Sequence, residues 1–296
     1  MQAALSGMQL ILALLLAVAA LPVLADPQWA YMVTPQKMEL RRVQHAGAER
    51  VIHGYLFKSH ARNGALVIYG PGCNGVDRAG RGYHADHIKR LHAGGLDVLL
   101  LNSVGDRGLG EGGTCFIDGK DPRFVHTPMM AGDGLAAVKW ARANGYEPGR
   151  IGYFGFSHGS RAGIWLAGEQ SLHNVTPPEL RGQGLAFATI VVIYPDCWDW
   201  EKYAKGVGPL VTSLMVWGGD KDEGQPAACV NFFPEAARKA EFRDRIFPNT
   251  YHGYGFNLPQ RTVLFGGNFK KTSAYNPQAQ EETFIGTVAW FNERLK

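Results

Sequence analysis

The first 25 residues contain no Lys, Arg, Asp or Glu, which excludes a solvated surface element and leaves an apolar stretch over residues 10–24, broken at Pro22. Val23-Leu24-Ala25 ahead of Asp26 has the small-x-Ala pattern that a signal peptidase reads, so residues 1–25 are expected to form an export signal cut after Ala25. An uncleaved anchor is the alternative, because only the amino terminus supplies positive charge before the apolar run. No later run has the length of a membrane span, so no stable span is expected after cleavage. The chain also lacks a basic stripe. Its net charge of +4 and pI near 8.8 come from scattered residues, which argues against nucleic acid as a partner.

Cysteine is scarce as well. Cys73, Cys115, Cys197 and Cys229 are the only four, their spacing fits no zinc pattern, and an even count in an exported chain favours disulfides. Three pairings are open. Cys73–Cys115 and Cys197–Cys229 is preferred, because each pair joins loops that a parallel sheet places side by side; free buried thiols are the competing reading. Repeats, low-complexity tracts and linkers are missing too, so residues 26–296 are expected to be one catalytic domain.

Two stretches between Lys37 and Lys58, rich in Val, Leu, Ile and aromatic residues, flank Ala46-Gly47-Ala48 and predict an N-terminal antiparallel hairpin at a sheet edge. Short apolar runs at 65–69, 97–101, 151–154, 189–194 and 214–217 read as strands. Helical patterns at 85–93, 132–143, 158–168, 234–243 and 279–295 fill the gaps. Continuous apolar strands alternating with helices predict an α/β domain, a mostly parallel doubly wound sheet covered on both faces. Ligands then bind beyond the carboxyl ends of the strands, where the long loop 105–119 would form a wall.

Gly155-Phe156-Ser157-His158-Gly159 directly follows one such strand and precedes a helix. A G-x-S-x-G turn in that setting is a nucleophile elbow, in which the serine projects above the sheet and the glycines remove side chains that would collide. A serine hydroxyl needs a base, and the base needs an orienting acid, in the chain order Ser, Asp or Glu, His. Downstream of the 214–217 strand, Asp222 is preferred to Asp220 as that acid, with Asp220 capping the turn and Glu223 solvated. His252, in Tyr251-His252-Gly253-Tyr254, is the expected base. The oxyanion that develops in acyl transfer needs N–H donors; the His158 amide is one candidate and the Cys73 amide, in the loop Gly70-Pro71-Gly72-Cys73-Asn74-Gly75, is the other. The His158 side chain is expected to point away from substrate. His84 and His87, at i, i+3 spacing with His92 nearby, complete no metal pattern and read as a solvated helix face.

These motifs resemble the dienelactone hydrolase family of the α/β-hydrolase superfamily, in its exported, disulfide-bearing form with a serine nucleophile, over most of the mature chain. Residues 71–75 are similar to the family's H-G-C-G-G loop, 102–108 to its D-S-F-G-P-R-G loop, 219–226 to its G-x-x-D-x-x-x-P acid loop, and Tyr275-Asn276-Pro277 to the Y-N-P before its last helix. Pro71 stands in place of the family's histidine, Asn102 in place of an aspartate, and Ser157 in place of the cysteine of the best-known members. The resemblance implies hydrolysis of a small-molecule carboxylic ester or lactone without metal or organic cofactor. Arg107 would bind a substrate carboxylate or, preferably, form a salt bridge within its own loop. A serine peptidase of the same fold and a catalytically silent binding protein are the competing functions. Export would place the protein in the periplasm or the medium. N-terminal sequencing and intact mass of the protein recovered after export are expected to show a chain that begins at Asp26.

Overall fold

The computed structural model describes residues 36–43, 49–76, 81–109, 113–115, 117, 120–197, 206–265 and 269–296. The expected export signal and the turn at Ala46-Gly47-Ala48 lie outside the described residues.

In chain order, the strands are β1 (Gln36–Val43), β2 (Glu49–Phe57), β3 (Leu66–Gly70), β4 (Asp97–Leu101), β5 (Ile151–Phe156), β6 (Thr189–Ile193), β7 (Ser213–Gly219), β8 (Phe242–Phe247), β9 (Arg261–Phe265) and β10 (Phe269–Ser273). The α-helices are α1 (Arg81–Ala93), α2 (Thr127–Ala143), α3 (His158–Ala167), α4 (Glu169–Val175) and α5 (Pro277–Arg294). Eight strands form one sheet in the order β1-β2-β4-β3-β5-β6-β7-β8. The pairs β1·β2 and β2·β4 are antiparallel and the rest are parallel, so the predicted edge hairpin and doubly wound sheet are both present.

Side-chain alternation divides the core into two layers. Along β3, Leu66 and Ile68 enter the layer beneath α2 and α3, whereas Val67 and Tyr69 enter the layer beneath α1 and α5. Burial on both faces explains why β3 to β7 read as unbroken apolar runs. Helix α2 begins five residues before the predicted 132, with Pro128 in its first turn, where a missing N–H costs nothing. The Asn276 side chain accepts the Ala279 N–H at 3.1 Å and Pro277 opens α5, which gives the Tyr275-Asn276-Pro277 motif a capping role.

The segment 234–243 departs from the expected helix. It holds only a short 3₁₀ turn (Glu235–Ala237) and then enters β8. Strand β8 is the sheet's edge, and Arg243, Asp244 and Arg245 are exposed along it; charges on an edge strand resist edge-to-edge pairing while disguising the strand in sequence. The separate hairpin β9–β10 was also unforeseen. It pairs antiparallel around residues 266–268 and lies against the main sheet's carboxyl end through a bridge between His252 and Ser273.

Arg107 forms its salt bridge outside its own loop, not within it as expected, and is engaged inside the fold. Its Nη1 and Nη2 donate to the Asp133 carboxylate on α2 at 2.8 and 2.9 Å, and Nη1 also donates to the Ser103 carbonyl. Both side chains are buried, at 3% and 0% exposure. Loss of one partner strands the other charge in the core, so Arg107→Ala is expected to cost about 3–5 kcal/mol of folding stability, read by urea unfolding.

Candidate active site

Strand β5 delivers Ser157 to a turn that L-residues rarely adopt, with φ 50° and ψ −117°. The close approaches around it account for the glycines. A Cβ on Gly159 would lie 2.1 Å from the Gly70 carbonyl oxygen, and one on Gly155 would lie 2.5 Å from the Gly159 carbonyl oxygen. Neither position has room for a side chain, which is why α3 can descend so steeply onto β3. The serine carbonyl accepts the Ser160 N–H at 3.0 Å and so starts the first turn of α3.

Two further loops meet this elbow. The Ser157 hydroxyl lies 3.0 Å from His252 Nε2, and His252 Nδ1 lies 2.8 Å from Asp222 Oδ2. A carboxylate only accepts, so Nδ1 carries the proton and Nε2 is left to accept from the serine hydroxyl. Asp222 Oδ1 accepts the Gly224 N–H at 2.7 Å, which fixes the carboxylate plane. All three side chains are buried. Asp220 sits apart: it is exposed, and its Oδ1 accepts the Thr250 N–H at 3.3 Å. Glu223, expected to be solvated, is half-buried and accepts the Thr272 N–H through both oxygens at 3.1 Å, anchoring β10.

Both disulfides of the preferred pairing are formed, Cys73 with Cys115 and Cys197 with Cys229, with Cα separations of 5.0 and 5.5 Å. The first fastens the 71–75 loop to the wall loop, and the Thr114 N–H donates to the Cys73 carbonyl at 2.8 Å beside it. The second joins the loop after β6 to the segment beyond the acid loop, and the Cys197 N–H donates to the Gly224 carbonyl in the acid loop at 2.6 Å. The wall expected from 105–119 is present in its described part, since Thr114, Cys115 and Ile117 line the cleft.

His158 opens α3, where first-turn N–H groups have no partner inside the helix. Its side chain donates from Nε2 to the Val125 carbonyl at 2.6 Å, and burial pushes its imidazole down to about 4. The reading of His84 and His87 as a solvated face is corrected by the structure. Both are buried. Tyr69 Oη lies 2.6 Å from His87 Nδ1 and 2.9 Å from His84 Nδ1, and His84 Nε2 lies 2.9 Å from the Gly75 carbonyl. One proton per ring satisfies the whole chain, from His87 to Tyr69 to His84 to Gly75. Burial, then His84 and Arg90, hold His87 well below its ordinary value. This polar column supports the 71–75 loop from beneath.

Two clefts open at Ser157, which lines both together with Cys73, Cys115 and Phe265. Arg161, Asp196 and Lys271 line one, with Phe124, Phe265 and Phe269. Phe256, Val263 and Arg261 line the other. The hairpin β9–β10 thus contributes to both. Sequence reasoning missed it, although Gly266-Gly267-Asn268 between two runs of alternating polarity is a hairpin signal.

Neither a protein-family sequence model nor a curated protein sequence matches the chain. Solved structures do. A dienelactone hydrolase from Anabaena variabilis aligns at 16% identity over 89% of this chain and 100% of its own, with a TM-score of 0.55. Esterase 2 of Thermogutta terrifontis, phosphorylated by paraoxon, aligns at 13% identity over 92% and 97%, with a TM-score of 0.58. A dienelactone hydrolase-like promiscuous phosphotriesterase from metagenomic libraries aligns at 14% identity over 88% and 99%, with a TM-score of 0.57. The chain therefore has the α/β-hydrolase fold, the one that dienelactone hydrolases and these esterases share.

The elbow's geometry leaves a side chain at position 159 nowhere to go. Gly159→Ala is expected to lower the midpoint of urea unfolding, by at least about 2 kcal/mol of stability, because the clash is with backbone. Gly149→Ala is the control, with nothing within 4 Å of its Cβ.

Proposed function

We propose that the chain is an exported serine hydrolase of the dienelactone hydrolase type, cleaving small carboxylic esters or lactones through an acyl-enzyme on Ser157. The carrying observation is the hydrogen-bonded series Ser157–His252–Asp222, at 3.0 and 2.8 Å, on a nucleophile elbow. In this reading His252 Nε2 takes the hydroxyl proton as Ser157 Oγ bonds to the substrate carbonyl carbon. Asp222 holds the tautomer and offsets the imidazolium charge that forms. The Cys73 and His158 amides donate to the oxyanion, an arrangement supported by the short loop on one side and the first turn of α3 on the other. His252 then returns its proton to the leaving alcohol, and water, activated by the same base, releases the acid.

The two clefts that meet at Ser157 suit a substrate with separate acyl and alcohol arms. Residues 26–296 act as the single catalytic domain, released by cleavage after Ala25. The two disulfides support export, and among the described residues no helix is long and apolar enough to cross a membrane.

Hydrolysis of p-nitrophenyl esters from acetate to long acyl chains tests the reading. Wild-type turnover is expected to fall at least about 10⁴-fold in Ser157→Ala and by a similar factor in Asp222→Asn. Paraoxon should add one phosphoryl group to the wild type and none to Ser157→Ala, read by intact mass. Wild-type inertness to all esters and to paraoxon overturns the triad.

A further inference from the structure

Residue 271 is a lysine where the sheet pattern calls for an apolar side chain. Lys270 before it is exposed, yet the Lys271 side chain is only 5% exposed and is aimed inward from β10 at the catalytic imidazole. A buried ammonium is costly unless paired, and here Asp196, from the loop after β6, accepts from Nζ. The same Nζ lies 3.3 Å from His252 Nδ1 and 3.4 Å from Nε2. Those ring nitrogens already serve Asp222 and Ser157, so Lys271 displaces neither bond. Its contact with the ring is that of a cation.

We propose that Lys271 and Asp196 are a balanced pair of positioning residues that set the charge felt by His252. The proposal rests on the reading of Ser157, His252 and Asp222 as a hydrolytic triad. When His252 takes the serine proton its ring becomes cationic. Lys271 opposes that charge, whereas Asp196 and Asp222 favour it. Ser157 from the elbow also meets the ring, Tyr194 meets it edge-on at a centroid distance of 4.9 Å, and Arg261 of β9 lines the same cleft as His252 and adds a second positive charge that both single variants leave in place. Arg161 on α3 lines the same cleft as Asp196 and Lys271, and its charge acts on Asp196. Burial works to raise the Asp196 carboxyl, and Lys271, His252 and Arg161 outweigh it, holding it down to about 2.

The pair is built into the site's framework. Cys197, next to Asp196, is tied to Cys229 and hydrogen-bonded to Gly224 in the acid loop. On the other side Glu223 of the acid loop holds the Thr272 N–H, next to Lys271. Asp196, Asp222 and Lys271 are therefore connected through one scaffold of a disulfide and hydrogen bonds.

Breaking the pair from either end unbalances it in opposite senses, an outcome that loss of structural support alone does not produce. Lys271→Met leaves Asp196 facing the ring and is expected to move the acid limb of kcat/KM for a p-nitrophenyl ester to higher pH by about one on the pH scale. Asp196→Asn leaves Lys271 facing it and should move the limb to lower pH by a similar amount. The double variant should fall between them, and Lys271→Arg should stay near the wild type. A ¹⁵N NMR titration of the His252 ring, which needs no turnover, should shift in the same directions. Shifts of one sign in both single variants, or an acid limb and ring titration that do not move, overturn the proposal. Should Lys271→Met fail to fold, Asp196→Asn decides, because only an unbalanced cation moves the limb down. Opposed NMR shifts with no ester turnover in the wild type would sink the ester reading and leave the positioning pair standing. Ser157-dependent turnover with an unmoved ring would do the reverse.

Discussion

Backbone packs directly on backbone where α3 meets β3, and every other feature of the site depends on that approach. The Gly159 Cα rests against the Gly70 carbonyl, so the helix starts immediately above the sheet and the serine before it is forced into an otherwise unfavourable conformation. Raising Ser157 puts its hydroxyl within reach of a histidine arriving 95 residues later. It also sets the start of α3 beside the 71–75 loop, because the Gly70 that receives Gly159 is the last residue of β3. One packing contact thereby aligns nucleophile, helix terminus and loop.

Around that contact, the polar groups are arranged by layers of support. Asp222 is held by the Gly224 N–H and itself holds His252. The 71–75 loop is held by a disulfide on one side and by the His84 imidazole beneath. The histidines of α1 illustrate how a buried polar column can be stable without any ion pair: each donor meets an acceptor, so nothing in it requires charge. Asp196 and Lys271 form a buried ion pair lining the cleft, and Arg107 and Asp133 form a second one that ties the wall loop to α2.

What was legible in the sequence follows from which forces act locally. Strands buried on both faces declare themselves as apolar runs, and the elbow declares itself because its glycines are sterically required. Ser157, Asp222 and His252 were singled out by motif and order, and the structure brings them into contact; both disulfide pairs were chosen from loop order. Strand β8 was hidden because its exposed charges, Arg243 to Arg245, mimic a solvated helix face. His84 and His87 were misplaced because their partner, Tyr69, belongs to a strand, and helical spacing says nothing about what a helix rests on. Arg107 was read within its own loop for the same reason: Asp133 lies 26 residues away, on α2. Lys271 was invisible because a lysine beside another lysine reads as surface until a carboxylate 75 residues earlier is brought to meet it.

Cys73 belongs at once to the loop facing the serine and to a covalent bridge spanning 42 residues to Cys115. A closure of that length lowers the entropy of the open chain by an amount worth about 4 kcal/mol. The shape of the cleft is thus coupled to a thiol–disulfide equilibrium. A reduced chain carries its serine, histidine and aspartate without this covalent tie, and forming the tie requires electron transfer to an external acceptor as well as folding.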